Sequence, residues 1–238
     1  MTTDFHVHLD LVDVATIRAG GLTRVYDLGS ARAVPNHGVP GVEVIIAGQI
    51  LTARGGYPSD RDWAAGGLFR DLAHGEVDAA VREQVGRGAA LTKSARHQDA
   101  GPVWSDDLLA EVVGTVHAAG LKVVAHVQGV GQAARAASAG VDIFAHTPWS
   151  EPLSPELLTH LAATTTWIST LRIHTGRDLE VAVANAARFH AAGGRILYGT
   201  DMGNGPSSGG VEQDELALLR EAGMSEDAVK AAMSDTEL

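Results

Sequence analysis

The sequence predicts an α/β protein of the (β/α)8 TIM-barrel type, built as a single domain over residues 1–238. Three observations carry that reading. A length of 238 residues is usual for one such barrel and long for most other compact domains. Five times a helical stretch ends in glycine and a short apolar run follows, in RAGGLTRVYD, GRGAALTK, AAGLKVVAH, SAGVDIFAH and AAGGRILYGTD. A polar residue then closes each run at a nearly fixed distance. Asp27, His126 and His146 stand six residues beyond Gly21, Gly120 and Gly140, Lys93 stands five beyond Gly88, and Asp201 stands seven beyond Gly194.

In chain order, eight strands are expected at 4–8, 23–28, 42–48, 89–94, 122–127, 142–147, 166–171 and 195–200. The first, in DFHVHL, places His6 and His8 on one face because alternate side chains of a strand point the same way. After the second strand, GSARAVPNHGVPG over 29–41 holds too much proline and glycine for a full helix, so that helix is expected to be short or lost. Residues 49–75 make a long excursion from the third strand, which reads as a lid or pocket wall before the helix EVDAAVREQVGRG. Helix SDDLLAEVVGTVHAAG follows the fourth strand, with Ser105 as its N-cap and Leu109, Val112, Val113 and Val116 at helical spacing. SPELLTHLAA and DLEVAVANAARFHAAG read the same way before the seventh and eighth strands. An open doubly wound sheet is the competing fold. Its Gly-rich turn after the first strand is missing, and His-Val-His stands there instead.

Composition narrows the function classes. The chain is 45% hydrophobic and 20% charged with no long apolar run, so no membrane span is expected. The opening MTTDFHVHLD lacks a basic stretch followed by an apolar core, which points to a cytoplasmic protein. Zero cysteines exclude disulfides and thiolate metal sites, leaving nitrogen and oxygen ligands for any metal. A formal charge of −11 with no Lys/Arg-rich stripe argues against nucleic acid. The expected partner is a small-molecule substrate, and homo-oligomerisation is left open.

Six residues at strand ends then stand out as candidate metal ligands: His6, His8, Lys93, His126, His146 and Asp201. A barrel carries its active site at the C-terminal ends of its strands, where all six are expected. His-x-His alone is a weak signal, since a lone strand histidine is more often structural. Two further histidines ending successive strands, with an aspartate ending the last, are hard to explain as core packing, because buried polar and charged groups need partners. Lys93 has two readings. It either pairs with a carboxylate, or is carbamylated by CO2 and becomes an anionic metal bridge.

This set, together with AGGLTRVYDLGS, GAALTKSA, SDDLLAEVVGTVHAAGLKVVAHVQG, AGVDIFAHT and YGTDMG followed by ELALLREAGMSEDAVKAAM, resembles the amidohydrolase superfamily. The similarity is to its imidazolonepropionase-like and prolidase-like branch and covers nearly the whole chain. It implies two divalent metal ions, zinc first, with manganese, cobalt, iron or nickel as substitutes. His6 and His8 would bind the more buried ion, His126 and His146 the more exposed one, carbamylated Lys93 would bridge them, and Asp201 would complete the first site. The implied reaction is hydrolysis of an amide, lactam or ester by a hydroxide shared between the ions, with Asp201 as the catalytic proton shuttle. Two departures accompany the resemblance. No segment corresponds to the small β-sandwich that flanks the barrel in family members, and the third-strand loop reads GGYP where relatives commonly carry a histidine.

Around the centre, Tyr57, Arg172 and His174 are candidate substrate-binding residues, Tyr57 for an oxyanion and the other two for a substrate carboxylate. Packing and a surface ion pair are the plain alternatives for Tyr57 and Arg172. Trp63, Trp104 and Trp149 suggest an apolar rim, and His97 is a weaker candidate for supporting a ligand. The competing functions are a mononuclear deaminase using His6, His8, His126 and Asp201, and a non-catalytic barrel that binds a small molecule. The deaminase usually needs a glutamate near the fifth-strand histidine, and HVQGVGQAA has none.

Overall fold

The computed structural model describes residues 1–31, 38–205, 207–234 and 238. Its strands are β1 (Thr3–Val7), β2 (Arg24–Asp27), β3 (Glu43–Ile46), β4 (Ile50–Ala53), β5 (Phe69–Leu72), β6 (Thr92–His97), β7 (Val123–Gln128), β8 (Ile143–Phe144), β9 (Thr166–Ile168) and β10 (Arg195–Leu197). The helices are α1 (Val14–Ala19), α2 (Val77–Gly86), α3 (Asp106–Ala118), α4 (Gln132–Ser138), α5 (Pro155–Thr164), α6 (Gly176–Ala191), α7 (Gln213–Glu221) and α8 (Glu226–Ser234). All strand pairs are parallel, in a three-stranded sheet β1-β2-β3 and a seven-stranded sheet β10-β9-β8-β7-β6-β4-β5.

Backbone hydrogen bonds also pass between the two sheets. Phe5 N donates to Tyr198 O at 3.0 Å and Val7 bridges Met202, which joins β1 to the end of β10. On the other side Ala90 N donates to Ile46 O at 3.0 Å, joining β3 to the residues that lead into β6.

Period-2 alternation sorts the side chains into two apolar layers. Phe5, Tyr26, Leu91, Val124, Ile143, Ile168 and Leu197 meet in an inner cluster. Val123, Ala125 and Val127 of β7 point the other way and pack with Leu109, Val112 and Val116 of α3 in an outer cluster. Because His126 shares its face with Val124, the inner layer delivers it to the strand ends. Helix α3 starts where the sequence placed it, with Ser105 Oγ accepting from Leu108 N at 3.3 Å. Fully burying each of its aliphatic side chains contributes roughly 1.5–3 kcal/mol.

Every expected strand has an observed counterpart, and 49–75 departs most from expectation. It does form a pocket wall, but it also holds two strands, β4 and β5. The strand expected over 42–48 ends at Ile46, and pairing resumes at Ile50. Gly48 takes φ 71°, Gln49 N donates to Gln84 Oε1 at 2.8 Å, and a Cβ at Gly48 would lie 2.2 Å from that oxygen. Only glycine permits this bend, so the chain pairs first with β2 and then with β6. The turn before β10 also differs slightly. Gly193 carries the positive φ of 85°, while a Cβ on Gly194 would strike the Phe189 ring at 2.4 Å. The described parts of 29–41 contain no helix, and residues 32–37 lie outside the described residues. Among the described residues no helix is long and apolar enough to cross a membrane.

Candidate metal centre

All six candidate ligands meet in one buried cluster, although Lys93 stands near the start of its strand rather than at its end. His6 lies in β1 and His8 just beyond it, Lys93 is the second residue of β6, which runs on past the end expected at 94, His126 lies within β7, Ala145 separates His146 from β8, and Asp201 stands beyond residues 198–200, which follow β10. His6 Nε2 lies 3.0 Å from Asp201 Oδ1, 3.3 Å from His8 Nε2 and 3.2 Å from Lys93 Nζ. His8 Nε2 lies 3.2 Å from the same Asp201 oxygen. Ligand atoms of His6, His146 and Asp201 all fall within 4.8 Å of one another, a grouping that could hold a metal ion. The His146 ring is 4.7 Å from His6 and 4.9 Å from His126, centroid to centroid, so it sits between those two rings.

Backbone and side-chain partners orient these groups. His6 Nδ1 faces the Ala145 carbonyl at 2.9 Å, so that nitrogen must carry the hydrogen. His146 Nδ1 lies 2.8 Å from Thr170 Oγ1. Beneath His6, the Asp4 carboxylate accepts from His6 N at 2.9 Å, from Thr200 N at 3.1 Å and from Thr200 Oγ1 at 2.6 Å, which ties β1 to the residue before Asp201. Asn204 Nδ2 donates to Asp201 Oδ2 at 2.8 Å. Asp201 itself takes φ 54° and Thr170 φ 43°, left-handed conformations that cost a non-glycine residue about 1–3 kcal/mol and persist only where the surroundings impose them.

Burial makes His6, His126 and His146 neutral donors. Burial, with Lys93 nearby, pushes His6 well below the usual imidazole range and His126 down to about 3. Burial also holds His146 well below that range. Burial brings Lys93 down to about 8 against the opposing pull of Asp201. Among the described residues no carboxylate lies within 4 Å of Lys93 Nζ, so the ion pair weighed for it is not formed.

A cavity of about 540 Å3 opens above the cluster. Tyr57, Trp63, His97, Gln128, Trp149, Ile173, His174 and Asn204 are among its lining residues. Tyr57 stacks on His126 at 5.2 Å, and burial pushes its hydroxyl up to about 12, which keeps it a hydrogen-bond donor. Trp149 stands edge-on to His126 and His146 and lies 4.4 Å from the His174 ring. Burial brings His174 down to about 4 and lowers His97 as well.

Two expected rim residues are elsewhere. Arg172 is not among the cavity-lining residues; its amide donates to Glu215 at 2.8 Å, and its charge acts on Glu212 and Glu215. The strand expected to reach 171 stops at Ile168, and a 3-10 turn over Leu171–Ile173 presents Ile173 and His174 to the cavity instead. Trp104 packs in the outer cluster, its Nε1 donating to Leu72 O at 3.3 Å. Sequence reasoning missed Asp4, Gln128, Thr170, Asn204 and Glu215. Asp4 was within reach, because residues 4, 6 and 8 of one strand share a face. Asn204 lies one turn beyond Asp201, and nothing local marks Glu215 or Thr170.

No family model matches the chain. Among curated proteins, one uncharacterised protein of Mycobacterium bovis and two of Mycobacterium tuberculosis are each 29% identical over 184 residues. The match covers 67% of this chain and 50% of theirs, so the chain spans about half the length of the curated relatives it matches. Among solved structures, A. niger ochratoxinase gives a TM-score of 0.77 at 20% identity, covering 97% of this chain and 69% of that one. A Xaa-Pro dipeptidase gives 0.74 at 20% identity over 97% and 72%, and an amidohydrolase gives 0.74 at 21% over 98% and 71%. The chain has the α/β fold of the amidohydrolases. Its neighbours include prolidase-like members, the branch that the sequence resembles.

Proposed function

We propose that this chain is a metal-dependent hydrolase that cleaves an amide, lactam or ester bond of a small molecule at a centre of two divalent ions. One observation carries the reading. His6 Nδ1 is committed to the Ala145 carbonyl, so a neutral His6 directs a lone pair from Nε2 at the Asp201 carboxylate oxygen 3.0 Å away. Two acceptors at that distance repel unless a cation lies between them. Ligand atoms held about 2 Å from one ion are themselves separated by about 3 Å, so the donor set fits a metal better than a hydrogen-bond network. The buried His126 Nε2, which has no hydrogen-bond partner, fits it too.

His6, His8 and Asp201 would hold one ion, His126 and His146 the other, and Lys93 would lie between them. A neutral Lys93 amine that attacks CO2 would form an N–C bond as one C=O π bond opens, release a proton to solvent and become a carbamate whose single negative charge is shared by two oxygens. The divalent ions, with zinc the first choice and manganese, cobalt, iron or nickel as substitutes, would supply a water of lowered pKa and polarise the scissile carbonyl.

The chain's own residues complete the reaction. Asp201 Oδ2, held by Asn204, accepts the proton of the attacking water and passes it to the leaving nitrogen or oxygen as the acyl bond breaks. The Tyr57 hydroxyl donates to the oxygen that gains charge. Trp149, Trp63 and Ile173 hold apolar parts of the substrate and exclude water. His174, expected as a carboxylate anchor beside Arg172, serves instead as a neutral hydrogen-bonding wall.

The two hydrogen-bonded joins between the sheets and the inner apolar cluster support closure into one eight-position (β/α)8 barrel, with β3 and β4 sharing a position and β5 lying outside it. A cytoplasmic enzyme acting on small molecules, alone or as a homo-oligomer, suits the cysteine-free acidic chain. The test is a panel of small amides, lactams and esters offered to metal-loaded and chelated protein. Cleavage that disappears on chelation and returns with divalent metal supports the proposal, and cleavage indifferent to metal sinks it.

A further inference from the structure

We propose that Glu215, on α7 and outside the cavity, is a positioning residue for His146. The inference rests on the reading of His146 as a metal ligand. Glu215 is fully buried, and its two carboxylate oxygens accept separately from Leu171 N at 2.9 Å and Arg172 N at 2.8 Å. Those are the two amides that follow Thr170. Thr170 sits at φ 43°, ψ 37°, a left-handed conformation that a β-branched residue avoids unless it is imposed. The direction of the following amides depends on the ψ of Thr170, so an acceptor that fixes both amides also fixes that angle.

The consequence reaches the metal centre through one atom. Held in this conformation, Thr170 presents Oγ1 to His146 Nδ1 at 2.8 Å. A threonine in the extended conformation usual for a strand end would aim its hydroxyl elsewhere. Ligation through Nε2 requires the hydrogen on Nδ1, and a Thr170 Oγ1 held at this distance can accept it and so favour that tautomer. Leu216 and Leu219 anchor α7 in the outer apolar layer, so the carboxylate acts from a rigid support. The chain of contacts therefore runs from an outer helix, through a strained backbone turn, to one ring tautomer.

Two readouts test this without any substrate. Nitrogen-15 NMR of the histidine rings in metal-free protein reports the His146 tautomer. The wild type is expected to show the Nδ1–H form, and Glu215→Gln a mixture of both. Chelator competition then gives the affinity for the more weakly held zinc in the wild type, Glu215→Gln, Thr170→Ala and the double variant. Each single change is expected to weaken binding by about 10–100-fold, the usual effect of removing a group that orients a ligand. The double variant should be no weaker than the worse single one, because both act through the same ring. Losses that multiply in the double variant, or an unchanged tautomer and affinity in Glu215→Gln, would overturn the proposal. Protein that binds no zinc at all would instead defeat the metal reading, and the tautomer measurement would still decide the role of Glu215. Glu215→Gln keeps one acceptor oxygen and the same shape. Should it fail to fold, Thr170→Ser, which keeps the hydroxyl, should preserve the tautomer and Thr170→Ala should lose it; equal behaviour of the two also refutes the proposal.

Discussion

The β1/β10 side of the centre and the β6/β7 side are built on different terms. On the first, His6 and His8 both meet Asp201 Oδ1, Asn204 holds Oδ2, and Asp4 ties the two strand ends together. On the second, His126 Nε2 and His97 Nδ1 have no hydrogen-bond partner, and their rings rest against Tyr57 and each other. On the first side His8 Nδ1 is likewise without a partner, but the strand ends and the Asp201 carboxylate are tied by the protein's own hydrogen bonds. The other presents nitrogen lone pairs whose partners must come from a metal or a substrate. A buried polar atom without a partner costs stability, and such atoms cluster where function requires them.

Lys93 stands between the two sides, so Lys93→Ala should lose metal and activity together, with partial recovery in short carboxylic acids that can fill the vacated space. Metal analysis and rate on one preparation check this, and a fully metallated Ala variant would contradict it. Next in size, Asp201→Asn preserves shape and a ligating oxygen but cannot accept a proton. It should keep much of the metal and lose at least ~10²-fold in kcat, and near-normal turnover would place the base elsewhere. The contrast itself is sharpened by pairing His6→Ala with His126→Ala in metal-free protein. His6→Ala removes the donor to the Ala145 carbonyl and the acceptor facing Lys93 Nζ and should cost about 1–3 kcal/mol in denaturant melts, whereas His126→Ala, whose Nε2 has no partner to lose and which gives up only its bond with Gln128, should cost clearly less. Equal losses would erase the distinction.

A further effect concerns pH. Burial pushes the Glu215 carboxyl up to about 7, against hydrogen bonds that favour its anion. The folded state then holds a proton that the unfolded chain releases near its ordinary value of 4.5. This contribution to stability is fully present below 4.5 and is lost as pH rises towards 7. Denaturation of metal-free protein should therefore show a downward slope of at most about 1.4 kcal/mol per pH unit across that window from this group, absent in Glu215→Gln. Identical slopes in the two proteins would mean that Glu215 is ionised throughout.

The same division explains what the sequence disclosed. Ligands that end regular strands were legible, because a glycine-closed helix sets the start of each strand and a short apolar run sets its end. His126 and His146 are plain cases. Residues 49–75 were not legible as strands, since the bend at Gly48 is stabilised by Gln84 from a helix more than thirty residues on. Arg172 was misplaced for a similar reason: Thr170 turns the chain after Ile168, and that turn is held by Glu215 on α7. Local pattern reveals side chains that a strand delivers. It does not reveal those that another element pulls aside.

Metal content tests the central claim most directly. Purified protein, loaded to full activity and freed of loosely bound ions, should carry two equivalents of divalent metal per chain by elemental analysis, one for each side of the centre. Full activity with one equivalent or less would contradict the account, remove the bridging role of Lys93 and favour a mononuclear site built on the His6, His8 and Asp201 side.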